Sequence, residues 1–195
     1  ALDAPIDQIL KAQQQTLSEF YPVLHRPAFR PWIDGNLISD LPETIAASGV
    51  NVPLIMGINA HEQRLYINPS AQIKDASLTR RVERRLAERC VHPEAAAKQV
   101  IDLYRSILNE NNINAAVIAA VDTELNFRQP MIRYAQNRGA NTWLYQFNWR
   151  SPALRGWLKA CHAIEIPFVF GNFSDPSTAK FVGPGADSLS SLMQS

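Results

Sequence analysis

Two segments of this chain read as β-strands, and what lies between them dictates how they can pair. Val52–Asn59 is a nearly continuous apolar run rather than an alternating one. That is the pattern of a strand covered on both faces in a parallel sheet. Thr142–Asn148 carries the β-branched and aromatic residues that favour a strand. About eighty residues separate the two, and they read mostly as helix. A strand, a helical crossover and a second strand make a parallel β-α-β arrangement. Two strands alone cannot form a stable sheet with both faces buried. Either further strands lie hidden in the irregular stretches, or the rest of the sheet belongs to sequence outside these 195 residues.

The spacing of apolar residues predicts the helices. Ile6, Ile9, Leu10 and Gln13 share one face of a first helix, extended by Leu17, with Asp3 as its N-cap and Pro5 in its first turn. Residues 18–50 read as irregular, because Pro22, Pro27, Pro31 and Pro42 each fix φ and remove a donor. A short helix opening at Leu41 and closing at Gly49 is the exception. In the crossover, helices are predicted over Leu78–Cys90, from Pro93 with Val100, Leu103, Tyr104, Ile107 and Leu108 on one face, over Asn114–Leu125 with Ala116, Val117, Ala120 and Val121 inward, and from Pro130 to a C′ glycine at Gly139.

Composition narrows the function classes. The chain is 46% apolar and 19% charged, which excludes a disordered or low-complexity protein. Nineteen Lys and Arg against 18 Asp and Glu give a formal net charge of +1. No global charge draws it to nucleic acid or a membrane surface. No apolar run approaches the roughly 18 residues of a spanning helix. Two cysteines, Cys90 and Cys161, make no disulfide framework. Ala1-Leu2-Asp3-Ala4-Pro5 lacks the basic and apolar regions of a signal peptide, and the cytoplasm is the favoured expectation for a compartment these residues do not specify.

Chemistry in an open parallel sheet sits just past the carboxyl ends of the strands. After the first strand comes Ala60-His61-Glu62, and after the second a loop leads to Cys161-His162. An acid followed by a histidine is the second half of a Ser…Asp/Glu…His order. The segment Cys161-His162-Ala163-Ile164-Glu165-Ile166-Pro167-Phe168-Val169-Phe170-Gly171-Asn172 resembles the histidine motif of the type-B carboxylesterases, the family of para-nitrobenzyl esterases and cholinesterases. Pro53-Leu54-Ile55-Met56-Gly57-Ile58-Asn59-Ala60-His61-Glu62 is similar to that family's acid motif. Phe29–Gly35, Phe127–Ala135 and Tyr145–Pro152 resemble three further elements in the same order.

The resemblance covers nearly the whole chain. It implies a partial α/β-hydrolase fold, a few parallel strands with a large helical insertion, with residues 1–195 forming the C-terminal part of one catalytic domain. It makes Glu62 the triad acid and His162 the general base of a serine esterase acting on small carboxylic esters, with no cofactor. Gln63 stands where the family usually has Gly, and His61 where Asp is commoner. No serine here has glycine two positions before and two after it, so the nucleophile elbow and the oxyanion-hole glycines lie outside these residues. The chain alone is therefore expected to be inactive. The rival reading is a non-catalytic, cholinesterase-like protein-binding module. Besides a small-molecule ester, the expected partners are the remainder of the domain or a second copy across an exposed sheet edge.

Other features have simpler readings. Cys161 is expected to be a small buried thiol rather than a nucleophile, and Glu165 a structural carboxylate. Arg80, Arg81, Arg84, Arg85 and Arg89 read as a solvated helix face with i,i+4 ion pairs. Trp143, Tyr145, Phe147 and Trp149 alternate along the second strand as core residues, with Trp149 and Trp157 as candidate acyl-pocket walls. His61-Glu62 lacks the spacing of a helical zinc motif, and no metal or nucleic-acid site is expected.

Overall fold

The computed structural model describes residues 3–24, 29–48, 52–173 and 175–195. It divides into two compact units, Ala1–Ile45 and Ala46–Ser195.

The first unit holds α1 (Ile6–Leu24) and the short α2 (Pro42–Ile45). Helix α1 continues past the predicted boundary and takes in Pro22, close enough to its end that the missing donor interrupts only the last turn. The predicted N-cap is displaced: the Pro5 carbonyl accepts from the N–H groups of Gln8 and Ile9, so Pro5, not Asp3, begins the helix. Its apolar residues Ile6, Ile9 and Leu10 are exposed. Between the helices, Asp34 Oδ1 accepts from the N–H groups of Asn36 and Ile38, an Asx turn that gives the Pro-rich stretch its local order. Pro27 and Gly49 lie outside the described residues.

The second unit carries β1 (Leu54–Asn59), α3 (Asp75–Leu86), α4 (Pro93–Ile107), α5 (Ile113–Thr123), a π-helical turn at Glu124–Arg128, α6 (Gln129–Arg138), β2 (Thr142–Phe147), α7 (Ile166–Phe170), α8 (Pro176–Val182) and α9 (Asp187–Met193). Strands β1 and β2 pair in parallel, from Leu54 opposite Thr142 to Asn59 opposite Phe147. Gly139 is left-handed where α6 ends, with φ of 75°. The fold is a partial α/β architecture, a small parallel sheet with a large helical crossover, as the resemblance implies.

The sheet is not covered on both faces. Ile55, Trp143, Leu144 and Tyr145 are exposed, while Ile58, Asn59 and Phe147 at the C-terminal ends are buried. Among the described residues there is no third strand, so the irregular stretches hide none there. The core sits in the crossover and the loops beyond the strands. Leu78 and Val82 of α3, Ala97 and Ile101 of α4, and Ala115–Ala119 of α5 form it with Trp157, Cys161, Ile164 and Phe168. On α4 the buried positions are Ala97 and Ile101, whereas Leu103 and Ile107 face solvent. The apolar stripe of that helix therefore exceeds the surface its neighbours cover. Two of the arginines expected to form a solvated face are only partly exposed. Arg81 and Arg85 each reach Asp122 of α5 at 2.9 Å, and the carboxylate they neutralise is buried.

Candidate active site

Both loops that follow the strands fold back on each other at the ends of β1 and β2. Ala60 continues the ladder by donating to the Phe147 carbonyl. The next residues leave the sheet and meet the second loop: His61 N–H donates to the Ala160 carbonyl at 2.8 Å, and His162 N–H donates to the Glu62 carbonyl at 3.1 Å. A 3₁₀ turn over Glu62–Leu65 then fixes the direction in which the Glu62 side chain leaves the backbone. Its Gln63 N–H donates to Thr123 Oγ1, which in turn donates to the Ala119 carbonyl. Gln63 lies within this helical turn and does not have positive φ, so the turn does not need the glycine usual in the family.

The second loop reaches the same place by a longer route. An antiparallel bridge between Ser151 and Lys159 closes it, and Ser151 Oγ ties it to the Phe181 carbonyl at 2.6 Å. Lys159 and Ala163 both adopt left-handed backbone, with φ of 49° and 64°. Such conformations cost a non-glycine residue free energy and persist where surrounding contacts over-determine them. Ala163 immediately follows His162, so the strain falls at the point that aims the imidazole.

Glu62 and His162, 100 residues apart in sequence, meet here. Glu62 Oε2 accepts from His162 Nδ1 at 2.8 Å. Its other oxygen, Oε1, accepts the Asn59 N–H at 2.7 Å. A carboxylate can only accept, so Nδ1 carries the proton and Nε2 is left as the basic nitrogen. The Glu62 side chain is 6% exposed and that of His162 41%: the carboxylate is enclosed and the imidazole opens outward. Tyr66 and Phe127 flank the imidazole, with ring centroids at 5.6 and 5.5 Å. Phe127 comes from the π-helical turn Glu124–Arg128, a local widening that recurs at functional sites.

The neighbouring residues take structural roles. Burial, reinforced by the nearby Glu62 and Glu165 carboxylates, pushes the Cys161 thiol up to about 12, so it stays protonated and is no nucleophile. Glu165 bonds to the Asn59 side chain. Trp157 is buried. Its Nε1 donates to the Arg64 and Ile67 carbonyls, and the Arg64 guanidinium lies 4.6 Å over its ring. Trp149 packs on Phe168 at 5.4 Å. Arg64, also buried, reaches Glu110 at 2.8 Å, and Lys159 holds the same carboxylate. His61 lines a cavity of about 150 Å³ together with Tyr104, Ala119 and Thr123. Among the described residues no cluster of three or more His, Cys, Asp or Glu could hold a metal ion, and no helix is long and apolar enough to cross a membrane.

The sequence singles out Glu62 and His162, which the structure brings together, but assigns no part to Asn59, Thr123, Tyr66 or Phe127. Asn59 and Phe127 fall within two of the segments that carry the family resemblance, without a role of their own there, whereas Thr123 and Tyr66 are brought in by tertiary packing.

The sequence profile described as the carboxylesterase family matches residues 3–189. A para-nitrobenzyl esterase of Bacillus subtilis (strain 168) is 30% identical over 175 residues, which cover 85% of this chain and 31% of that protein. The bile salt-activated lipase of Mus musculus is 28% identical over 173 residues, covering 80% and 29%. That of Homo sapiens is 27% identical over 174 residues, covering 80% and 23%. The chain thus spans less than a third of the length of these curated relatives.

Proposed function

The chain belongs to the carboxylesterase family, and from that premise we propose that it supplies the acid and the base of a serine esterase for small carboxylic esters. The observation that carries this reading is the Glu62–His162 pair: a buried carboxylate with one oxygen on His162 Nδ1 and the other on a main-chain amide. A lone surface ion pair needs neither the burial nor the second bond.

The mechanism follows from which nitrogen is free. His162 Nε2 takes the proton of a serine hydroxyl as its oxygen attacks the ester carbonyl. It then gives that proton to the departing alcohol, leaving an acyl-enzyme. In the second half Nε2 deprotonates water, which attacks the acyl carbon; the serine–acyl bond breaks, the acid is released, and Nε2 returns the proton to the serine oxygen. Glu62 holds the imidazole in the Nδ1–H tautomer and stabilises the imidazolium formed in each half. The serine and the oxyanion donors come from outside residues 1–195, and the exposed face around Ile55, Trp143 and Tyr145 is where the rest of the domain packs. Residues 1–195 alone lack the nucleophile, a loss on the order of 10⁶ in turnover.

The test is p-nitrophenyl acetate hydrolysis by the intact protein and its variants. His162→Ala is expected to lower kcat by about 10⁶ and Glu62→Gln by about 10⁴. Full turnover in His162→Ala refutes the assignment. An inactive wild-type protein that still carries a serine elbow refutes it too, in favour of a binding module.

A further inference from the structure

We infer that Asn59 is the positioning residue that locks the acid loop to the histidine loop. This rests on the esterase reading of Glu62 and His162. Asn59 is the last residue of β1, paired with Phe147, and it is 2% exposed. It contacts both halves of the site through different atoms. Its main-chain N–H holds Glu62 Oε1 at 2.7 Å. Its side-chain amide donates to the Cys161 carbonyl at 2.9 Å and to Glu165 Oε2. Both hydrogens of the amide are therefore committed, and both go to the loop that carries His162. The Cys161 carbonyl belongs to the peptide that enters His162, and Glu165 lies just beyond the left-handed Ala163.

A buried amide is unfavourable unless its donors find acceptors, and an apolar residue would suffice to end the strand. What an apolar residue cannot do is fix the distance from the sheet end to the histidine loop. Two main-chain bonds already join the loops, at His61–Ala160 and Glu62–His162, and these set the register of the contact. The Asn59 side chain adds the restraint on either side of the strained Ala163, so that Glu62 and His162 are referred to one rigid residue. Misplacement of a reacting group by about 1 Å can cost on the order of a hundredfold in rate.

The test separates this role from that of the pair itself. Asn59→Ala removes both side-chain bonds and leaves the main-chain bond to Glu62. Asn59→Asp keeps the volume but sets a carboxylate against Glu165 and the Cys161 carbonyl. Asn59→Asp with Glu165→Gln restores an amide facing a carboxylate. In the intact protein, with p-nitrophenyl acetate, each single Asn59 variant is expected to lose about ten- to a hundredfold in kcat at unchanged KM, and the double variant to recover part of it. The far-downfield proton signal of His162 Nδ1–H is expected to broaden by faster exchange in both single variants, while far-ultraviolet circular dichroism stays that of the wild type. Unchanged kcat in Asn59→Ala and Asn59→Asp, alongside loss in His162→Ala, overturns the inference and leaves the esterase reading standing. Activity in His162→Ala sinks the esterase reading instead. The proton signal then decides for Asn59: retained in Asn59→Asp, it overturns the positioning role, and broadened, it supports it. Should Asn59→Ala not fold, the near-isosteric Asn59→Asp and its double variant carry the same comparisons.

Discussion

Acidification from pH 6.5 towards pH 4 will protonate His61 in the unfolded chain before it does so in the fold. Burial, with the positive charges of Arg64, Lys159 and Arg150, lowers the His61 pKa from 6.5 to about 4, against the opposing pull of Glu110. Its buried Nδ1 has no hydrogen-bond partner, so no hydrogen bond there offsets the cost of charging the ring. Between those two values the unfolded chain binds more protons than the folded one, and stability rises with pH across that window. The contribution is fully present above 6.5 and is lost as the pH falls through about 4. A gap of roughly two and a half units at 1.36 kcal/mol per unit sets a ceiling near 3 kcal/mol. The ring is only partly buried, and screening by solvent brings the expected effect to about 2 kcal/mol. Urea denaturation of wild type and His61→Phe at pH 4.5 and pH 7 reads it directly, because phenylalanine keeps the ring and removes the proton. Wild type should lose about 2 kcal/mol more than the variant on acidification. Parallel pH dependence in the two proteins would refute the reasoning.

Three further outcomes follow from other contacts. Arg64→Ala removes a buried guanidinium that bonds Glu110 and the Trp157 carbonyl and stacks on the Trp157 ring. It should cost about 3 kcal/mol in denaturant melts, and a loss below 1 kcal/mol contradicts the network. Cys161, with its thiol pushed up to about 12, should resist iodoacetamide at pH 8 in the folded protein and react once urea unfolds it. Labelling of native Cys161, read by mass spectrometry, counts against the burial argument. Gly57 lies under the ring of Tyr145, its register partner, and a Cβ there would fall within that ring. Gly57→Ala should cost about 1 kcal/mol, with Tyr145→Ala in the same chain removing the added penalty. An additive double variant rules out the clash.

The elements with strong local signals were readable in advance. Helix α6 stops at Gly139 because only a residue tolerant of positive φ ends a helix cheaply there. The strands were recognised from their apolar and β-branched runs, with Asn148 and Val52 falling just outside the observed ends. Faces were less legible than boundaries. Helix α4 shows an apolar stripe, yet Ala97 and Ile101 are what its neighbours bury, because burial depends on which elements pack against it. The arginine cluster looked solvated because Asp122, which two of its members neutralise, lies 37 and 41 residues away.

For the site, the sequence set the residue types and their order: a carboxylate after one strand and a histidine after the next, within motifs that point to Glu62 and His162. Identity and order are local properties, written residue by residue. Only the tertiary structure decided that Glu62 Oε2 meets Nδ1 at 2.8 Å while Oε1 is held by Asn59, that Tyr66 and Phe127 flank the imidazole, and that Cys161 is buried. Those facts depend on loops 100 residues apart being carried to one place by a parallel pair and its crossover. No pattern along the chain encodes a distance set by packing across it.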